Sequence, residues 1–70
     1  MNYKFYFMQS SMLLSCEYDE ENKELTVTFT NGKDYVYEDV SKDIYDSLIT
    51  AESVGKYFNS IKSNLKIKQP

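Results

Sequence analysis

The hydrophobic period of this chain changes once, close to residue 40, and that change limits what it can fold into. Before it, Leu25-Thr26-Val27-Thr28-Phe29-Thr30 alternates strictly, with Leu25, Val27 and Phe29 on one face and threonines on the other, the period of a half-buried strand. After it, Ile44, Tyr45, Leu48 and Ile49 fall on one helical face, with Lys42, Asp43, Asp46 and Ser47 opposite. Strands followed by helices, rather than alternating with them, read as an α+β domain.

The strand half divides at turn signals. Met12 to Tyr18 reads as a strand, with the alternation Leu14, Cys16, Tyr18 on its buried face, and Asp19 to Lys23 as a polar turn. Asn31-Gly32 after the threonine run is the strongest short hairpin signal, and leads into a third strand from Lys33 to Glu38 or Asp39. That hairpin has two registers. A two-residue loop sets Thr28 against Tyr35 and Thr26 against Tyr37, which displays both tyrosines. A three-residue loop, Thr30-Asn31-Gly32 with a glycine bulge, sets Val27 against Tyr35 and Leu25 against Tyr37, which turns both toward the core. The bulged loop joins matching apolar faces and leaves Asp34 and Glu38 in solvent, at the cost of turning Val36 outward.

In the helical half, Ser41 reads as an N-cap with Val40 and Tyr45 as a hydrophobic staple, giving a first helix over 42–51. Ser53 caps a second helix to Lys62, in which Val54, Tyr57, Phe58 and Ile61 recur at i, i+3, i+4 and i+7. Gly55 weakens that helix unless a neighbouring backbone packs closely there. The expected architecture is a three-stranded antiparallel meander covered by two short C-terminal helices. Residues 1–9 form an extension or a fourth strand with Tyr3, Phe5 and Phe7 on one face, the domain proper spans 10–63, and 64–70 is a loose tail.

Composition narrows the chemistry. A chain of 70 residues has a small core, and seven tyrosines with four phenylalanines supply much of it. The single cysteine, Cys16, forms no intramolecular disulfide, which points to a cytoplasmic protein. Leu13-Leu14-Ser15-Cys16 resembles a lipoprotein cleavage box, but Gln9-Ser10-Ser11 interrupts the apolar run before it and cleavage would remove a strand. Without histidine and with one cysteine, neither a structural zinc site nor a His-based relay is available. Ser10-Ser11, Cys16 and the acidic turn at 19–21 have no base at a defined spacing, so neither an enzyme nor a cofactor site is expected. All eight basic residues are lysine. The net charge of −3 hides an acidic stretch, 17–46, and a basic tail, so extended phosphate contact is disfavoured except at the tail.

The order of these signals resembles a known family. Ser10-Ser11, Tyr18-Asp19, Leu25 to Phe29, Asn31-Gly32, Tyr35-Val36-Tyr37, Val40, Tyr45, Leu48 and Ser53-Val54-Gly55-Lys56-Tyr57-Phe58-Asn59 are similar to the KTSC domain, named for the C-terminus of some lysyl-tRNA synthetases and also found free-standing in bacteria and phages. Two features depart from its pattern: Ser41 and Lys42 stand where prolines are expected, and Lys62 where arginine is common. The resemblance implies no established activity, and its link to a tRNA synthetase implies RNA as a partner.

Three functions are compatible with these residues. The first is a module for RNA or a nucleotide, with Tyr35, Tyr37 and Tyr57 stacking on bases and Lys56, Asn59 and Lys62 holding polar groups. The second is a phage-encoded oligomer, in the host cytoplasm, that sequesters a host nucleotide signal. The third is a protein-interaction or self-association module built on the aromatic segment Tyr3, Phe5 and Phe7.

Overall fold

The computed structural model describes residues 3–8 and 10–68, with side chains from Phe5 onward. Four strands come first: β1 (Tyr3–Phe7), β2 (Leu13–Asp19), β3 (Glu24–Phe29) and β4 (Asp34–Glu38). Two helices follow, α1 (Lys42–Thr50) and α2 (Val54–Ile61), then a 3₁₀ turn (Lys62–Asn64) and a two-residue strand β5 (Lys66–Ile67). The strands form one antiparallel sheet in chain order, β1-β2-β3-β4-β5. The expected α+β meander is present, and residues 3–7 are its fourth strand.

The β3–β4 hairpin takes the bulged register. Leu25 faces Tyr37 and Val27 faces Tyr35. The Phe29 N–H donates to the Lys33 carbonyl at 2.8 Å and the Gly32 N–H to the Phe29 carbonyl at 2.9 Å, closing a loop of Thr30, Asn31 and Gly32. Gly32 has φ +89°, a conformation that side-chain-bearing residues rarely adopt. Both tyrosines lie on the helix side, yet their fates differ. Tyr37 is buried under α2, whereas Tyr35 lies farther along the strand and is 38% exposed.

One expected face is corrected in β2. The register shifts between Leu13 and Ser15, so that Leu13 faces Phe29 while Ser15 faces Thr28. The extra residue of this bulge changes the alternation. Leu13 and Cys16 are buried beside Tyr18, and Leu14, expected in the core, is exposed.

A second correction concerns the C-terminus. Residues 66–68 of the segment expected to be loose run back along β4, with Ile67 facing Tyr37 and the Lys68 N–H donating to the Val36 carbonyl at 2.7 Å, while residues 69–70 lie outside the described residues. Lys66 lies 3.5 Å from Glu38 and Lys68 lies 2.7 Å from Glu24. The acidic sheet thus gives the basic tail its charged partners. The sequence reading treated these two charge segments separately and missed their pairing.

Both helices start as expected. The Ser41 hydroxyl accepts from the Ile44 N–H at 3.3 Å, and the Ser53 hydroxyl from the Lys56 N–H at 3.4 Å. Two aromatic contacts hold the helices to the sheet. The Tyr18 hydroxyl donates to the Val40 carbonyl at 2.6 Å, just before α1, and its ring stacks on Tyr45 at 5.0 Å. Phe58 of α2 meets Phe29 and Tyr37 edge-on, both at 5.7 Å. Around these contacts Leu13, Leu25, Val27, Val40, Leu48 and Phe58 are fully enclosed.

Phe58→Ala removes the side chain that joins α2 to both β3 and β4. The expected loss is about 3–5 kcal/mol, against a total of about 4–10 kcal/mol for a domain of this size, so equilibrium urea unfolding should show a chain near the limit of folding. A variant that unfolds at the parent's midpoint would refute this role. Tyr37→Ala should likewise cost about 3–5 kcal/mol and Tyr35→Ala less than about 1 kcal/mol, a contrast that paired thermal melts will read directly.

The buried acids set the pH response. Burial pushes the Cys16 thiol from 9.0 up to about 12, and raises the Tyr18, Tyr37 and Tyr45 hydroxyls above 10.0, chiefly by desolvation. Above its unfolded pKa each of these groups binds more protons folded than unfolded, so stability falls as pH rises. These four groups therefore contribute no slope between pH 7 and about 8, and they lower the melting temperature from about pH 9 upward. A melting temperature that holds level through pH 11 would contradict their burial.

Candidate functional site

A groove of about 710 Å³ runs between the N-terminal end of α2 and the β1–β2 connection. Local sequence builds each wall. On one side, Ala51, Glu52 and Ser53 lead into α2, whose first turns bring Gly55, Lys56 and Asn59 to the opening. Facing them are Ser10, Ser11 and Met12, with Tyr6 and Phe7 from the end of β1 and Ile49 from α1. Helical spacing explains part of the first wall, since Lys56 and Asn59 are three residues apart and share a face, while Glu52 stands just before the Ser53 cap.

The opposite wall is held by a serine turn. The Ser10 hydroxyl accepts from the Met12 N–H at 3.1 Å and the Leu13 N–H at 3.3 Å, which fixes the approach to β2. In both bonds Ser10 is the acceptor, which leaves its hydroxyl proton available to donate. Ser53 is placed in the same way by its capping bond to Lys56. The groove therefore presents hydroxyl donors, the Asn59 amide, the Lys56 ammonium and the Glu52 carboxylate, with the part-exposed Tyr6 ring at one end and the end of β1 at Phe7 on its rim.

Gly55 sits in this wall, but for a different reason from the one expected. A Cβ added there would meet the Ser10 hydroxyl at 3.4 Å and the Met12 methyl at 3.8 Å, which are ordinary contacts with side chains. No backbone lies close enough to demand glycine. Its lack of a side chain keeps the groove open.

Of the six residues expected to bind a ligand, the structure brings Lys56 and Asn59 together here. Tyr37 lies under Phe58 and is 4% exposed, so its ring has no free face for a base. Tyr35 ends an aromatic chain, edge-on to Phe29 at 5.4 Å and away from the groove. Tyr57 is half-buried against the core, and Lys62 is exposed on the 3₁₀ turn; neither lines the groove. Sequence reasoning missed Tyr6, Ser10, Ser11 and Glu52. The signal for the two serines was present, because Ser10-Ser11 and the Ser53 to Asn59 run both carried the family resemblance, but nothing local showed that the two segments meet.

No helix among the described residues is long and apolar enough to cross a membrane. Comparison with known proteins places the whole arrangement. The chain is 41% identical to an uncharacterized protein of Stutzerimonas stutzeri over 54 residues, 77% of this chain and 76% of that one, and 35% identical to a Tsukamurella paurometabola protein over 54 residues, 77% and 81%. The crystal structure of a KTSC domain protein from Yersinia pestis superposes with a TM-score of 0.88 at 26% identity, covering 99% of each chain, so the likeness takes in β1 and β5 as well. Residues 9–64 match the KTSC domain profile, and with the strands, the hairpin and both capped helices in their places the chain belongs to the KTSC domain family.

Proposed function

We propose that the protein is a non-enzymatic binding module for a small nucleotide held in the groove between α2 and the β1–β2 connection. The observation that carries this reading is the pairing of an aromatic ring, Tyr6, with a polar end containing Ser10, Ser53, Lys56 and Asn59. A base has a flat π-face for that ring, while sugar and phosphate take hydroxyl, amide and ammonium donors. Lys56 takes part in none of the ion pairs found among the described residues, so its charge is available to a ligand.

Charge favours a small ligand over extended RNA. The chain carries −3 overall, and two lysines of the basic tail, Lys66 and Lys68, are paired with Glu38 and Glu24 rather than free for a phosphate backbone. A single groove lysine suits one phosphate.

Calorimetric titration with nucleoside mono- and diphosphates tests the reading. Binding should weaken about tenfold or more in Lys56→Ala and in Asn59→Ala, and should be unchanged in Tyr35→Ala. Absence of heat with every nucleotide at millimolar concentration, or a single-stranded RNA that binds more tightly and ignores Lys56→Ala, would remove the proposal.

A further inference from the structure

The tip of the β3–β4 hairpin carries reactive chemistry that its role as a turn leaves unused. Asparagines stand at Asn2, Asn22, Asn31, Asn59 and Asn64, and among them Asn31 alone precedes a glycine. That pairing matters because the Gly32 nitrogen can close a succinimide ring on the Asn31 carboxamide with no side chain to hinder its approach. Asn31 is exposed, and no heavy atom outside the neighbouring residues lies within 4 Å of the place a Gly32 Cβ would take, so water reaches the ring.

The reaction balances with water as its only co-reactant. Gly32 gives up its N–H proton, its nitrogen bonds to Asn31 Cγ, and the bond from Cγ to Nδ2 breaks, so the amide nitrogen takes up the proton and leaves as ammonia. Water then opens the succinimide at either carbonyl. The product is aspartate or isoaspartate, with one further negative charge on a chain that carries −3.

The folded loop holds both groups out of this reaction. The Gly32 N–H donates to the Phe29 carbonyl at 2.9 Å, so the proton that must leave is bound. Asn31 Oδ1 accepts from the Lys33 N–H at 3.0 Å, which fixes the rotation of the carboxamide. The Phe29 N–H closes the loop on the Lys33 carbonyl at 2.8 Å. Removing the proton and turning Cγ onto the Gly32 nitrogen compete with the first two of these bonds, and freeing both groups means opening the loop.

We infer that Asn31 is a deamidation site gated by the hairpin, unreactive while the bulged loop is closed and cyclising through the Gly32 nitrogen when it opens. Isoaspartate lengthens the main chain by a carbon inside the loop whose length sets Val27 against Tyr35 and Leu25 against Tyr37. Opening at this end of the sheet is thereby recorded in covalent form. Asn31 does not line the groove, so this site and nucleotide binding can fail separately.

The test compares the folded chain with the chain unfolded in guanidinium chloride, at about pH 8, below the range in which the buried thiol and hydroxyls lower stability. Peptide mass spectrometry reads the rate at each asparagine, and an isoaspartyl methyltransferase counts isoaspartate. Asn31 should react about tenfold or more slowly when folded than when unfolded. In the unfolded chain it should react faster than Asn22, Asn59 and Asn64. Lys33→Pro removes the N–H that holds Oδ1 and keeps the carbonyl that closes the loop, so the folded variant should deamidate faster than the folded parent. In the parent, hydrogen exchange at the Gly32 amide should be slowed by folding as well, a readout that needs no variant. Equal Asn31 rates in the folded and unfolded chains, an unfolded Asn31 no faster than Asn22, aspartate without isoaspartate, a folded Lys33→Pro as slow as the parent, or an unprotected Gly32 amide would overturn the inference.

Discussion

The contact of Phe58 with the sheet is the one on which the other features depend. A sheet with helices on one face needs an anchor for each helix, and in a domain this small each anchor is a single ring. Phe58 touches β3 through Phe29 and β4 through Tyr37, so α2 is held across two strands. Its position sets the direction of the chain that follows, through the 3₁₀ turn to β5 along β4. It also sets where the first turn of α2 stands, and with it the distance from Lys56 and Asn59 to Ser10 and Ser11.

Tyr18 makes the corresponding anchor for α1, and it differs in kind. Its ring stacks on Tyr45 while its hydroxyl satisfies the Val40 carbonyl just before the helix. The bond gives a buried carbonyl the partner it needs and ties the entry of α1 to β2. The aromatic richness of the chain is therefore mainly structural. Tyr18, Tyr37, Tyr45 and Phe58 are enclosed, and the rings left exposed are concentrated on β1 and at Tyr35.

Charge follows a similar division between sequence and space. Along the chain an acidic stretch precedes a basic tail, which suggests two surfaces of opposite sign. In three dimensions the tail lies against the acidic sheet, and two of its lysines face Glu24 and Glu38. Lys56 takes no part in these pairs and stands on α2 beside the groove.

Much of the architecture was legible in the residues themselves. Alternation from Leu25 to Phe29, the Asn31-Gly32 turn and the caps at Ser41 and Ser53 are local signals, and each element they imply is present because neighbouring residues suffice to form it. The matching apolar faces of Leu25, Val27, Tyr35 and Tyr37 favoured the register observed, since a one-residue slip would have turned the tyrosines to solvent. What tertiary structure alone decided involves residues far apart in sequence. The bulge at Leu14 arises in pairing with β3, Ile67 becomes a strand only because β4 offers an open edge, and Tyr35 differs from Tyr37 only because Phe58 covers one of them. The groove belongs to the same class. Ser10 and Lys56 are separated by most of the chain, and no periodicity in either segment encodes their meeting; the sheet and Phe58 bring it about.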